Sequence, residues 1–159
     1  MRARLRVVAA TLISFGLALV TTPGTAQAQG QIIRLRSVSQ DKCLYFHSNY
    51  GKHVGVYQCV GYSDQRFELL WPGDNQVQFK NVDHQACLNI YSLEGAEVEA
   101  GSCGNFTSRL RVDGSLTPGQ VVKIYFLYDG VKHCLDVNEE VLSWHCHDID
   151  RQLWEVLSG

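Results

Sequence analysis

The 159-residue sequence lacks most of the patterns that mark membrane proteins, enzymes and nucleic-acid-binding proteins. After residue 28, no apolar run is long enough to cross a bilayer. Lysine and arginine form no cluster, so phosphate backbones and anionic lipids are poor partners. The chain has no nucleophile motif and no Gly-rich phosphate loop, and its only adjacent carboxylates, Glu139 and Glu140, would point apart on an extended chain. We therefore expect no enzyme, no cofactor, no nucleic-acid partner and no membrane insertion.

Residues 1–28 have the organisation of a secretory signal peptide. Three arginines precede an apolar run from Val7 to Val20, and small residues at 26–28 fit a cleavage point. A buried N-terminal helix or a membrane anchor fits less well, because the run is too short to span a bilayer. Removing the three arginines leaves 11 basic and 16 acidic residues in 29–159, a net charge of −5, and a length that suits one domain. We expect a secreted product, extracellular or, in a Gram-negative source, periplasmic.

All six cysteines follow the predicted signal, and their even number predicts three disulfides in an oxidising compartment. The alternative is a Cys/His metal site, suggested by the sequences His133-Cys134 and His145-Cys146-His147. Zinc sites usually contain C-x2-C pairs, and this chain has none. We therefore favour disulfides and predict no metal site.

The cysteines belong to a threefold internal repeat. Each repeat contains a Cys-Leu pair, and its second cysteine follows the first by 16, 16 or 12 residues. In chain order the cysteines of each repeat are Cys43 and Cys59, Cys87 and Cys103, and Cys134 and Cys146. The first cysteines are 44 and then 47 residues apart, a period typical of repeat architectures. The repeats span about residues 31–71, 76–113 and 121–157.

The sequence of each repeat predicts a set of short strands. A Gln-x-aromatic triplet ends repeats one and three at residues 65–67 and 152–154, whereas Ser108 replaces the glutamine in repeat two. Segments such as "QVQFKNV" and "VVKIYFLY" are rich in β-branched and aromatic residues, and turn signals separate them. Four strands in 44 residues predict an all-β barrel or sandwich. One repeat cannot bury its apolar face alone, so three repeats must share a core.

Three cysteine-framed repeats, two of which end in a Gln-x-aromatic triplet, resemble the ricin B-type lectin family, whose QxW repeats also occur in carbohydrate-binding modules of glycosidases. The resemblance covers about residues 31–157 and implies a β-trefoil over residues 29–159. Such a fold has twelve strands, of which six form a barrel that three hairpins cap. The resemblance also implies one disulfide within each repeat, namely Cys43–Cys59, Cys87–Cys103 and Cys134–Cys146.

The resemblance places the best-preserved sugar site in the third repeat. In the family an acid follows Cys-Leu, an aromatic residue stands two positions before the second cysteine, and Asn-Gln opens the Gln-x-Trp triplet. An aromatic ring covers the C–H face of a sugar, while carboxylates and amides bind its hydroxyls. Repeat three has Asp136, Trp144 and Gln152 at these positions, and Arg151 replaces the asparagine. We expect a glycan ligand, of galactose type or another hexose.

Several roles in the third repeat have open alternatives. Asp150 would orient hydroxyls in place of the missing asparagine, and Asn138 or His147 would supply the missing donor. Asp136 could instead brace a turn, and Gln152 could serve the backbone more than a sugar. The polar residues on either side of Trp144 suggest an exposed strand edge.

The other two repeats match the sugar-site pattern less well. Repeat one has Tyr57 at the aromatic position, with Asp64 and Gln65 behind it, but Tyr45 replaces the acid. We predict a weaker second site there. Repeat two has Asn89, Gly101 and Ser108 at the equivalent positions and therefore offers no ring. It is expected to be scaffold.

Repeats one and two lack residues of the family's sugar-site pattern, and this loss favours one alternative function. Small secreted trefoils of this kind also resemble subunits A and C of the cytolethal distending toxins, which dock on a catalytic partner and on host cells. In that alternative the chain is a protein-binding trefoil that delivers a toxin or an enzyme.

Overall fold

The computed structural model of the chain describes residues 30–47 and 52–159, so the predicted signal peptide at 1–28 lies outside the described residues. Within the two described ranges there are thirteen β-strands and three short 3₁₀ helices, and no helix has the length and hydropathy that a membrane crossing needs. The strands are β1 (Ile32–Ser37), β2 (Cys43–Phe46), β3 (Val54–Tyr57), β4 (Phe67–Gly73), β5 (Gln76–Asn81), β6 (Cys87–Asn89), β7 (Ala96–Glu97), β8 (Glu99–Gly101), β9 (Arg111–Asp113), β10 (Val121–Tyr128), β11 (Val131–Val137), β12 (Val141–His145) and β13 (Trp154–Ser158). The 3₁₀ helices are Ser63–Gln65, Phe106–Ser108 and Asp150–Gln152.

Six antiparallel strands form the barrel. Hydrogen bonds connect β10, β13, β1, β4 and β5 in that order, and β9 pairs with β10. A bridge between Val77 and Leu110 joins β5 to the residue before β9 and completes the ring. Each repeat adds one hairpin, formed by β2 and β3, by β6 and β8, or by β11 and β12. The predicted β-trefoil is confirmed.

The structure has thirteen strands where the family pattern implies twelve, because one strand of repeat two is split. Its first part, β7, pairs with β12 of repeat three, and its second part, β8, pairs with β6 of its own repeat. The break falls at Val98, whose N–H donates to the carbonyl of Val141 at 3.1 Å. The second repeat therefore exchanges strand hydrogen bonds with the third.

Equivalent positions of the three repeats fill one core. The apolar pairs that precede each first cysteine are buried, and they are Ile33 and Leu35, Val77 and Phe79, and Ile124 and Phe126. The aromatic residues of the two intact triplets, Phe67 and Trp154, are buried with them. The indole N–H of Trp154 donates to the Leu135 carbonyl at 3.0 Å, so the one polar atom of this ring is satisfied inside the core.

The three disulfides join the cysteines within each repeat, as expected. Cα–Cα distances are 4.9, 4.9 and 5.0 Å for the first, second and third repeats. No cysteine is free, so the alternative of a cysteine-ligated metal site is excluded. The two cysteines of each bridge are separated by 16, 16 and 12 residues in the three repeats. In the chain-entropy picture, closing a loop of this length stabilises the fold by about 3 kcal/mol.

Candidate functional site

Asp136 and Trp144 lie on one face of the β11–β12 hairpin. Asp136 pairs with Leu142 and Cys134 pairs with Trp144 in an antiparallel register. Alternate residues of a strand share a face, and paired residues share it too. The acid and the ring are therefore diagonal neighbours, a relation in which residues lie about 7–8 Å apart. Both face away from the side that carries buried Leu135.

The carboxylate of Asp136 is held from the C-terminal side of the repeat. Gln152 Nε2 donates to Oδ2 at 2.9 Å, and Arg151 Nε lies 3.5 Å from Oδ1. Asp136 is only 4% exposed, so it forms the floor of the site instead of projecting from the surface. Each carboxylate oxygen can accept a further hydrogen bond beyond the contact it already has. The acid is thus fixed in place with acceptor capacity to spare.

Gln152 positions this acid and the adjoining loop. It has no exposed surface, and its Nε2 also donates to the His145 carbonyl at 2.8 Å. Its Oε1 accepts a 2.6 Å hydrogen bond from the His147 N–H. The alternative that Gln152 serves the backbone agrees with these contacts, although the bond to Asp136 gives it a second role.

Trp144 is 37% exposed, but the expectation of an exposed strand edge was wrong. β12 is paired on both sides, with β11 and with β7, through Leu142↔Glu97 and Ser143↔Ala96. Ser143 is buried and its hydroxyl donates to the Tyr91 carbonyl. Polar neighbours indicated an edge only because the second repeat's contribution to this sheet is not visible in the local sequence.

Two of the substitutes for the missing asparagine occupy the margins of the site. Asn138 is exposed at the turn after β11, where its N–H donates to the Glu140 carbonyl at 3.1 Å. Asp150 is exposed at the start of the last 3₁₀ helix, next to Arg151. The charged partner of Asp136 is Arg151, which the sequence marked only as a departure from the family pattern.

A histidine pair lies at the open end of the hairpin. His133 is buried opposite His145, and their ring centroids are 5.1 Å apart. Burial lowers the pKa of His133, and the charge of His145 lowers it further. His145 Nδ1 in turn lies 2.7 Å from Glu94 Oε1 of the second repeat. Among the residues that the structure describes, no three His, Cys, Asp or Glu side chains are grouped so as to hold a metal ion.

Repeat one has an aromatic surface like that of repeat three, but its carboxyl group comes from a different element. Tyr57 is 58% exposed, and its ring centroid lies 6.1 Å from that of half-buried Tyr45. Burial, and then the charge of Asp83, raises the pKa of Asp64, whose buried Oδ1 has no hydrogen-bond partner among the described residues. Burial and the nearby charge of Asp64 also raise the pKa of Tyr45. A carboxyl group is thus near the ring pair, although it comes from the 3₁₀ helix and not from β2.

Gln65 has the same loop-holding role as the third repeat's glutamine. It is buried, and its Nε2 donates to the Gln58 carbonyl at 2.8 Å. Its Oε1 accepts from the N–H groups of Val60 and Gly61 at 3.0 and 3.1 Å. The glutamine of this motif is therefore a scaffold element in both intact repeats.

In repeat two the equivalent space is filled by the protein itself. A Cβ at Gly101 would lie 2.7 Å from Asn89 Nδ2, so the amide occupies the place next to the missing ring. Asn89 is buried, donates to the Cys87 carbonyl at 2.8 Å and accepts from the Thr107 hydroxyl at 2.8 Å. This arrangement agrees with a scaffold role.

Sequence reasoning missed two features of this surface. One is the contact of the second repeat, through Glu94 and Gly95, with the strand that carries Trp144. The signal for it was the third repeat's shorter inter-cysteine segment. The other is a cavity of about 510 Å³ lined by ionisable side chains from repeats one and two, namely His47, Lys52, His53, Glu97 and Glu99. No motif indicated this cavity.

Comparison with solved structures defines the class: the chain is a β-trefoil with the fold of the ricin B-like lectins. The Macrolepiota procera ricin B-like lectin (MPL), solved in complex with lactose, is 13% identical with a TM-score of 0.70, over 83% of this chain and 98% of that one. The designed threefold-symmetric protein ThreeFoil is 20% identical with a TM-score of 0.69, over 80% and 99%. A mosquitocidal holotoxin is 14% identical with a TM-score of 0.69, over 83% of this chain and 18% of the toxin.

These likenesses are of fold, and they confirm the resemblance expected from the repeats. No protein-family model matches the chain, and no curated protein matches it.

Proposed function

We propose that the protein is a secreted carbohydrate-binding protein whose principal site is the Asp136–Trp144 face of the β11–β12 hairpin. The observation that carries this proposal is the pairing of a half-exposed indole with a fixed, nearly buried carboxylate on one face. The lactose complex of MPL, a protein of the same fold, makes a saccharide the first ligand class to test. Three disulfides fit an oxidising compartment and thus secretion.

The two groups would act on different parts of a sugar. The exposed part of the Trp144 ring offers an apolar surface to the C–H face of a pyranose. Asp136 would accept hydrogen bonds from sugar hydroxyls, and such charge-assisted bonds are stronger than neutral ones. Arg151, which is half-exposed beside the carboxylate, has donors left over after its contact with Oδ1.

A single shallow site of this kind gives weak binding, about −4 kcal/mol or a Kd near 1 mM. Several sites, clustering or a partner domain would then supply avidity. Repeat one is the candidate for a second and weaker site, because Tyr57 and Tyr45 form an aromatic surface beside Asp64.

The test is a glycan array probed with the purified protein, followed by calorimetry with the best ligand. We expect Trp144→Ala and Asp136→Asn each to reduce binding below detection. Matched controls are Tyr128→Ala, an exposed aromatic residue at the end of β10, and Glu139→Gln, an exposed acid. Undiminished binding by both site variants would exclude the third-repeat site.

The alternative function, a delivery subunit for a catalytic toxin or enzyme, has one supporting observation. The same fold forms a small part of a mosquitocidal holotoxin. Purification from the native secretion separates the two proposals. A stoichiometric enzyme partner would favour delivery, and free protein that a simple sugar elutes would favour a lectin.

A further inference from the structure

The second repeat lies alongside the strand that carries the proposed sugar-stacking ring. The Gly95 N–H donates to the Ser143 carbonyl at 2.8 Å, and the Val98 N–H donates to the Val141 carbonyl at 3.1 Å. The hydroxyl of Ser143 donates back to the Tyr91 carbonyl. The strand that carries Trp144 is therefore paired with a repeat other than its own.

A tight turn of the second repeat touches the Trp144 ring itself. The Ala96 N–H donates to the Leu93 carbonyl at 3.1 Å, which closes a turn with Gly95 at its third position and a φ of +73°. A Cβ at residue 95 would lie 3.3 Å from Cζ3 of Trp144. Glycine is thus favoured for two reasons, the left-handed backbone and the close approach of the ring edge.

A side-chain contact ties the same turn to β12 on the face opposite to the ring. Glu94 Oε1 lies 2.7 Å from Nδ1 of His145, the residue that follows Trp144. Both side chains are half-exposed, so the contact ties the turn to β12 at the surface. The turn is therefore attached to β12 through His145, while Gly95 lies beside the Trp144 ring.

We propose that Glu94 and Gly95 are positioning residues for Trp144, so that the third-repeat site is built across a repeat boundary. The third repeat has 12 residues from one cysteine to the next where the others have 16, and the neighbouring turn supports the ring in place of a longer loop of its own. The consequence for ligand binding rests on the proposed function. The positioning itself does not, because it concerns the ring alone.

The test follows the Trp144 ring directly in protein that contains 5-fluorotryptophan. Its ¹⁹F resonance is assigned by its loss in Trp144→Phe, and the resonances of Trp71 and Trp154 report whether the fold is intact. We expect Gly95→Ala and Glu94→Gln each to move the Trp144 resonance, because each changes the turn that contacts β12 beside the ring. Gly104→Ala and Glu139→Gln are controls, since Gly104 has no positive φ and Glu139 is an exposed acid.

Lactose is the binding probe, and stacking energies predict a loss of affinity of up to about tenfold in Gly95→Ala. A Trp144 resonance that stays unchanged in both variants, with the fold intact, would overturn the positioning role. If the parent binds no glycan while both variants still move the resonance, the positioning role stands and the proposed function fails. The two failures are therefore distinguishable.

Discussion

Repeats two and three have the same disulfide-framed hairpin, but the space beside the hairpin is filled by a side chain in repeat two and is left open in repeat three. In repeat two, the side-chain amide of Asn89 occupies the space next to Gly101, and its hydrogen bonds are made to other groups of the protein. In repeat three, Asp136 is held by Gln152, and a half-exposed Trp144 stands over the same face. A binding surface therefore depends on which side chain occupies the space and not on the scaffold, which both repeats share.

The largest effects are expected when one disulfide is removed at a time, and comparing unfolding free energy with glycan binding then separates scaffold from site. Replacing Cys87 and Cys103 with alanine should cost about 3 kcal/mol of unfolding free energy, and replacing Cys134 and Cys146 should cost a similar amount. Only the second pair should also abolish glycan binding, because it connects the strand of Asp136 to the segment after Trp144. Chemical denaturation and calorimetry on folded protein measure the two effects. Equal loss of binding in both variants would contradict the comparison.

The glutamines test whether the motif is structural in every repeat. Gln152→Ala and Gln65→Ala each leave buried backbone groups without partners, which should cost about 1–3 kcal/mol. Gln152→Ala should in addition weaken glycan binding, because Asp136 loses the donor that fixes Oδ2. Gln65→Ala should leave binding at the third repeat unchanged. Loss of binding without loss of stability in Gln152→Ala would show that this glutamine contacts the ligand.

Gly101→Ala tests whether the second repeat is closed by its own amide. The added Cβ would meet Asn89 Nδ2 at 2.7 Å, so we expect destabilisation of about 1–3 kcal/mol. The double variant Gly101→Ala with Asn89→Ala should recover part of that loss, since it removes the obstructing group. Thermal or chemical unfolding of the three variants forms the required cycle. Additive effects would show that the two residues do not compete for one space.

Cysteine spacing and strand alternation, which repeat within each unit of about 44 residues, were sufficient to predict three all-β repeats and three disulfides. The trefoil and the pairing of the cysteines came from the resemblance to the ricin B-type lectins that these motifs carry. The site could be predicted only in part. Asp136 and Trp144 share a face because of a register that the hairpin sets locally. What surrounds them is not local: Glu94 and Gly95 come from another repeat, and their contact with β12 depends on how the repeats pack.

The smallest expected effect contrasts two acids, one in repeat one and one in repeat three. Burial raises the pKa of Asp64 above its unfolded value, so the stability that this group contributes is present at low pH and is lost as pH rises through the folded pKa. A hydrogen bond from Lys123, and then its charge, lowers the pKa of Asp148, so its contribution is present above the unfolded pKa and is lost as pH falls.

Opposite pH dependences are therefore expected for Asp64→Asn and Asp148→Asn. At neutral pH Asp64→Asn should stabilise the protein slightly and Asp148→Asn should destabilise it slightly. On acidification the Asp64 difference should shrink as pH falls through its raised folded pKa, and the Asp148 difference should shrink as pH falls from the unfolded pKa through its lowered folded pKa. Unfolding free energies measured from about pH 2 to 7 test this, and added salt should reduce only the exposed Lys123–Asp148 effect. If Asp64→Asn destabilises the protein at neutral pH, the Asp64 carboxylate has a partner that compensates for its burial. The carboxyl group beside the two tyrosines of repeat one would then not be available to a ligand.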